Sequence, residues 1–224
     1  MLKKILAGLA VGFAVGSSGA HALTVSYTEN FDDGLSGWAT GSNPGTVFTS
    51  GGVDDGAYLS TFANVTPVGF GTVQVLFRCE SSACSDGAFQ GDWRGTVGTL
   101  SWYFRHNADI ALQAYARIAA PSNNPGASGV VTTLVQPNTW TRVDLGIVAD
   151  NPELISFSGQ SFDAVFDEVG RVQLGISFPT GYNATNLTFD IDQVSLVAPV
   201  PLPAAAWLFA PAVAGLGVVR RRRA

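Results

Sequence analysis

Three stretches alternate apolar and polar side chains with a period of two. In 99–106, Leu100, Trp102 and Phe104 share one face, and Ser101, Tyr103 and Arg105 the other. In 110–119, Ile110, Leu112, Ala114, Ala116 and Ile118 oppose Ala111, Gln113, Tyr115 and Arg117. In 171–178, Val172, Leu174, Ile176 and Phe178 oppose Arg171 and Gln173. Successive side chains of a strand point to opposite faces, and clean two-sided patterns suit antiparallel sheets packed on one side. Shorter β-branched and aromatic runs add candidate strands at 23–29, 46–50, 57–62, 72–78, 129–135, 140–145 and 187–197. Turn-forming residues punctuate them, most densely in 121–128, which predicts an all-β sandwich or barrel. One short helix is predicted over 161–169, with Ser161 as its cap and Gly170 at its end. The last strand breaks its own parity. Leu187, Phe189 and Ile191 run on odd positions, Val194 and Leu196 on even ones. A bulge near Asp192, or an inward Asp, would explain the slip.

Charge is placed unevenly. The chain of 224 residues carries 12 basic and 17 acidic side chains, net −5. Lys3 and Lys4 open it and Arg220, Arg221, Arg222 and Arg223 nearly close it, so the body holds six arginines against 17 acids, which leaves −11. A lysine-free acidic body argues against nucleic acid, since phosphate binding needs clustered Lys and Arg.

The two ends read as addresses. A charged start, an apolar run over 5–16 and Ala20-His21-Ala22 have the order of a signal peptide, with cleavage after Ala22. At the other end Val200-Pro201-Leu202-Pro203-Ala204 leads into an apolar run over 204–219 and then four arginines. Sixteen residues make about 24 Å of helix, short of a bilayer core unless Leu202 and snorkelling arginines extend it. The arginines resist translocation. The expected organisation is a signal segment over 1–22, one β domain over 23–198 and a sorting tail over 199–224.

That tail resembles the VPLPA variant of bacterial PEP-CTERM sorting signals. The resemblance implies an exosortase-type membrane protease as partner. It also implies anchoring in the inner membrane through the C-terminal helix before processing, then release or transfer to the cell surface. The body carries a second resemblance. The stretches 88–94 and 98–105, then 140–145, 162–176 and 189–196, follow in order the core segments of laminin B (domain IV) modules, and the opening 29–38 suits carbohydrate-binding modules. This implies a galactose-binding-like jelly roll, flanked by a signal helix and a transmembrane helix, with a role in adhesion or glycan binding.

Three sets of residues could carry chemistry. Cys79 and Cys84 close a short loop, and export makes a disulfide the expectation, against free or metal-bound thiols. Glu29 and Asp32 begin the domain and Asp192 nears its end. Carboxylates from first and last strands could hold one structural Ca²⁺, against solvated turn acids. Tyr103, Arg105, Gln113, Tyr115 and Arg117 would project from one face if their two strands are neighbours. Aromatic rings stack on sugar C–H surfaces, while Arg and Gln supply hydrogen bonds; the alternative is an ordinary solvated face. Trp38, Trp93, Trp102 and Trp140 are expected as core or loop anchors. No motif selects a nucleophile with its base or a pair of catalytic carboxylates. The reading is therefore a non-catalytic adhesion or glycan-binding module with polysaccharide as partner. The alternatives are a purely structural surface protein and, third, a secreted hydrolase.

Overall fold

The computed structural model describes residues 26–41, 43–66 and 72–199. The signal segment, Ala22, the Val200–Ala204 motif and the Arg220–Arg223 cluster fall outside the described residues. Among the described residues no helix is long and apolar enough to cross a membrane.

Alternation becomes strand wherever it was strong. Twelve strands form: β1 (Tyr27–Glu29), β2 (Ala39–Thr40), β3 (Thr46–Phe48), β4 (Tyr58–Val65), β5 (Thr72–Cys79), β6 (Thr99–His106), β7 (Leu112–Ala119), β8 (Gly126–Val135), β9 (Thr141–Gly146), β10 (Leu154–Ser156), β11 (Arg171–Phe178) and β12 (Ala184–Val197). β6 and β11 match their predicted bounds. β2 and β10 are too short to leave a pattern in the sequence. The helix α1 (Phe162–Phe166) is shorter than predicted. Its cap is as expected, with Ser161 accepting the Ala164 N–H at 3.2 Å.

The strands form two antiparallel sheets. Sheet A runs β3-β4-β12-β6-β9, with β1 on the far end of β12, and sheet B runs β10-β8-β7-β11-β5-β2. Their inner faces meet in one aromatic seam. Phe104 of β6 lies 6.2 Å from Phe77 of β5 and 6.3 Å from Phe189 of β12, and Phe189 lies 6.2 Å from Phe178 of β11. All four rings are buried. At one end of the sandwich α1 lays Phe166 against Trp93, ring centroids 6.3 Å apart, and Gly91 bridges Val169. The described residues thus form a β-sandwich of jelly-roll type with one short helix.

The parity slip in β12 is a bulge. Its register against β6 shifts between Asp192 and Ser195, and Gln193 takes a φ of 46°. Both halves of the strand can then bury their apolar side chains, while Asp190 and Asp192 keep the outward parity. Cys79 and Cys84 are joined in a disulfide. Both are buried, so the bridge ties the end of β5 into the core. The loop before β2 packs on it at Gly37 (φ 74°), where a Cβ would lie 2.4 Å from the Ala83 carbonyl oxygen.

Because Phe104 touches both sheets, Phe104→Ala should remove about 3–5 kcal/mol of stability, read from urea unfolding midpoints. A loss below about 1 kcal/mol would mean that the sheets do not meet there.

Candidate functional site

Strand register assembles a cleft on the outer face of sheet A. Asp190 of β12 pairs with Ser60 of β4 on one side and Arg105 of β6 on the other. Two residues before Ser60, Tyr58 pairs with Phe48 of β3, and their rings stack at 5.1 Å. Trp140 enters just before β9. Arg105 organises these groups. Its Nε donates to Asp190 Oδ2 at 2.8 Å and its Nη1 to the Gly51 carbonyl oxygen at 3.2 Å. Its guanidinium carbon sits 4.3 Å from the Trp140 ring centroid and 4.9 Å from that of Tyr58. The Trp140 indole N–H donates to the same Gly51 oxygen at 3.1 Å. The resulting cleft, of about 330 Å³, is lined by Phe48, Tyr58, Ser60, Arg105, Asp190 and polar groups that include Asn107 and Asn138. Phe48 leaves 46 % of its surface exposed.

The cleft wall holds polar capacity that the protein does not use. Asp190 Oδ1 and His106 Nδ1 are buried and meet no hydrogen-bond partner among the described residues. Nε2 of His106 contacts the Val135 carbonyl oxygen at 3.0 Å. Burial lowers the His106 pKa against the opposing pull of that bond, so its ring is neutral near pH 7.

The five residues expected to share one face do not. β6 lies in sheet A and β7 in sheet B, so Tyr103 and Arg105 point away from Gln113, Tyr115 and Arg117 on opposite sides of the sandwich. The chain crosses between sheets after β6 instead of turning back beside it. Tyr103 pairs with Arg142 of β9 on the sheet A side. On sheet B, Tyr115 is buried and its hydroxyl meets Ser128 Oγ at 3.0 Å. Of the four tryptophans expected as core or loop anchors, Trp38, Trp93 and Trp102 are buried; Trp140, in the loop before β9, is partly exposed and packs on Arg105 beside the cleft. Phe48, Tyr58 and Asp190 also belong to it. Outward parity along β4 and β12 is the sequence signal that could have marked Tyr58 and Asp190.

The carboxylates expected to hold Ca²⁺ are divided. Glu29 pairs with Val194, beyond the bulge, and so faces inward. There it accepts from Ser85 Oγ at 2.7 Å and from the Phe31 N–H at 2.9 Å. Asp192 lies before the bulge, on the outward side. It shares a small cleft of about 170 Å³ with Asp32 and Asp54, roofed by the turn at Val53, whose N–H it accepts at 2.7 Å. Among the described residues no group of three or more His, Cys, Asp or Glu side chains is set to hold a metal. Glu29 therefore does not join Asp32 and Asp192 in one site, because the bulge sends the side chains of Glu29 and Asp192 to different faces.

No protein-family model matches the chain, and no curated protein matches it. Among solved structures, an exo-β-agarase superposes with a TM-score of 0.51 at 10 % identity, over 78 % of this chain and 25 % of that one. The N-terminal endo-1,4-β-D-xylanase 10B modules of Clostridium thermocellum, complexed with xylohexaose, give 0.49 at 13 % identity, over 78 % and 28 %. A family 11 carbohydrate-binding module of a cellulosomal cellulase from the same organism gives 0.47 at 12 % identity, over 80 % and 97 %. The chain thus spans about a quarter of the agarase and xylanase chains. At 10 % identity the likeness to the agarase shows the fold alone.

Burial pushes the Asp192 carboxyl up to about 6, with the charges of Asp32 and Asp54 adding and the Val53 and Gln193 N–H groups opposing. A carboxyl raised in the folded state binds more protons folded than unfolded. Its contribution is therefore fully present below the unfolded value of about 4 and is lost as pH rises through about 6. Urea unfolding of wild type and Asp192→Asn across this window checks the sign. Relative to the variant, wild type should lose stability between pH 4 and pH 6; a difference that is flat, or that grows with pH, would contradict it.

Proposed function

We propose that this protein is an exported, non-catalytic carbohydrate-binding module that takes a neutral glycan in the cleft on the outer face of sheet A. The observation that carries the reading is the Arg105-centred cluster. Phe48, Tyr58 and Trp140 offer ring surfaces for the C–H faces of sugar rings. Ser60, Asn107, Asn138 and Asp190 surround them with groups that can donate to or accept from hydroxyls. The one cation in the cleft is already paired with Asp190, so the site presents no free positive charge to an acidic sugar. His106, the single histidine of the body, is buried with one nitrogen engaged, which supports binding over catalysis. The N-terminal leader and the Val200–Ala204 tail support export and exosortase-type sorting to the cell surface.

A glycan array probed with the tagged protein tests the binding. Phe48→Ala and Trp140→Ala should each weaken the signal for the retained glycan by about 1 kcal/mol or more, roughly fivefold, with melting temperature preserved in Phe48→Ala. Tyr115→Ala, on the other sheet, should leave that signal unchanged. An array with no retained glycan would favour a purely structural surface protein instead.

A further inference from the structure

The outer face of sheet B carries a line of basic side chains that the cleft does not use. Register sets Arg117 of β7 opposite Gln173 of β11, and Gln173 opposite Arg78 of β5. Ser128 of β8 extends the line beyond Arg117. Neighbouring strands lie about 4.8 Å apart, so the two arginine positions are about 10 Å apart across the strands. Arg171, two residues before Gln173, joins them on the same face.

This line is short of negative charge. Glu80 accepts from Arg171 Nη1 at 3.1 Å and from Gln173 Nε2, and lies 3.6 Å from Arg78. Arg117 donates instead to the side chain and backbone oxygens of Asn123 and makes no ion pair among the described residues. Of these three guanidinium groups, Arg78 and Arg171 share the one carboxylate of Glu80 and Arg117 has none among the described residues, on a body whose overall charge is −11. Glu153, before β10, accepts from the Thr132 N–H and hydroxyl. The Arg78 side chain is 40 % exposed, and a cleft of about 440 Å³ lined by Thr40, Gly41, Gln74, Val75 and Arg78 opens beside it.

We infer that this row binds a linear, carboxylate-bearing polysaccharide of the polyuronate kind, laid across the strands of sheet B. A guanidinium fork matches a carboxylate in two parallel hydrogen bonds. One such contact at an exposed site is weak. A polymer that repeats its carboxylate engages Arg78 and Arg117 together, and the second contact is then intramolecular. The charges form a line and not a round patch, which suits a chain better than the acidic surface of another protein. The proposal is independent of the sheet A cleft.

Affinity electrophoresis of the full-length protein in gels containing polygalacturonate tests it. The expected result is retardation that fades with added salt and is absent with the methyl-esterified polymer. Arg78→Gln with Arg117→Gln should weaken it roughly tenfold, while Phe48→Ala leaves it intact. Should Arg117→Gln fail to fold without its Asn123 bonds, Arg78→Gln alone must still weaken retardation severalfold. Equal retardation by the methyl ester, wild-type binding in the glutamine variants, or loss in Phe48→Ala would overturn the proposal. So would self-association in sedimentation that the glutamine variants abolish, which would assign the row to a second copy of the chain.

Discussion

A strand that lays one face on a partner sheet must send every second side chain to the other surface, and the functional geometry of this protein follows from that constraint. β6 shows it most simply. Leu100, Trp102, Phe104 and His106 are buried, which leaves Ser101, Tyr103 and Arg105 outward. β12 faces a harder problem, because its apolar residues change parity midway. The bulge after Asp192 resolves it: Leu187, Phe189 and Ile191 pack before the shift, Val194 and Leu196 after it. The cost is two aspartates left on the outward side in the middle of a sheet. Asp190 is neutralised by Arg105 across the strand pair. Asp192 is covered by the turn at Val53, where burial disfavours its charge.

The Arg105–Asp190 pair is more than an ordinary surface ion pair, whose net value is about 0–1 kcal/mol. Asp190 keeps only 7 % of its side chain exposed and Arg105 24 %, so solvent screens the pair weakly. The guanidinium is also held between two rings, and cation–π contact adds attraction. Tyr58 and Trp140 are thereby fixed edge to face at 5.6 Å before any ligand arrives. Rings ordered in advance do not lose that freedom on binding. The other face of the sandwich is built differently: among the described residues its guanidinium groups outnumber their acid and no ring covers them. One fold thus presents an aromatic, charge-neutral cleft on one side and an unbalanced basic line on the other.

Much of this was legible in the sequence where the physics is local. Alternation located β6 and β11, the Ser161 cap located α1, the parity slip pointed to the bulge, and the two cysteines to their bridge. What local pattern does not encode is the sheet a strand joins, since both sheets bury the same period-two face. The five residues between β6 and β7 suited a hairpin, yet the chain crosses from sheet A to sheet B there. That single crossing separates Tyr103 and Arg105 from Gln113, Tyr115 and Arg117. Trp140, expected only as a core or loop anchor, comes to lie over Arg105 for a related reason. It stands just outside β9, where no alternation assigns a face, and only the pairing of β9 with β6 brings it over Arg105. The carboxylate trio failed because the bulge that the sequence hinted at also turns Glu29 and Asp192 to opposite faces.

The Arg105 cluster is the place where the proposed ligand meets the protein. Nuclear magnetic resonance of the ¹⁵N-labelled protein during titration with soluble oligosaccharides addresses it directly through the indole N–H signals. On binding, the Trp140 indole resonance should shift while those of Trp38, Trp93 and Trp102, buried in the core, stay in place. Saturable binding that leaves Trp140 unmoved, or that shifts only the sheet B amides around Gln113 and Tyr115, would contradict it.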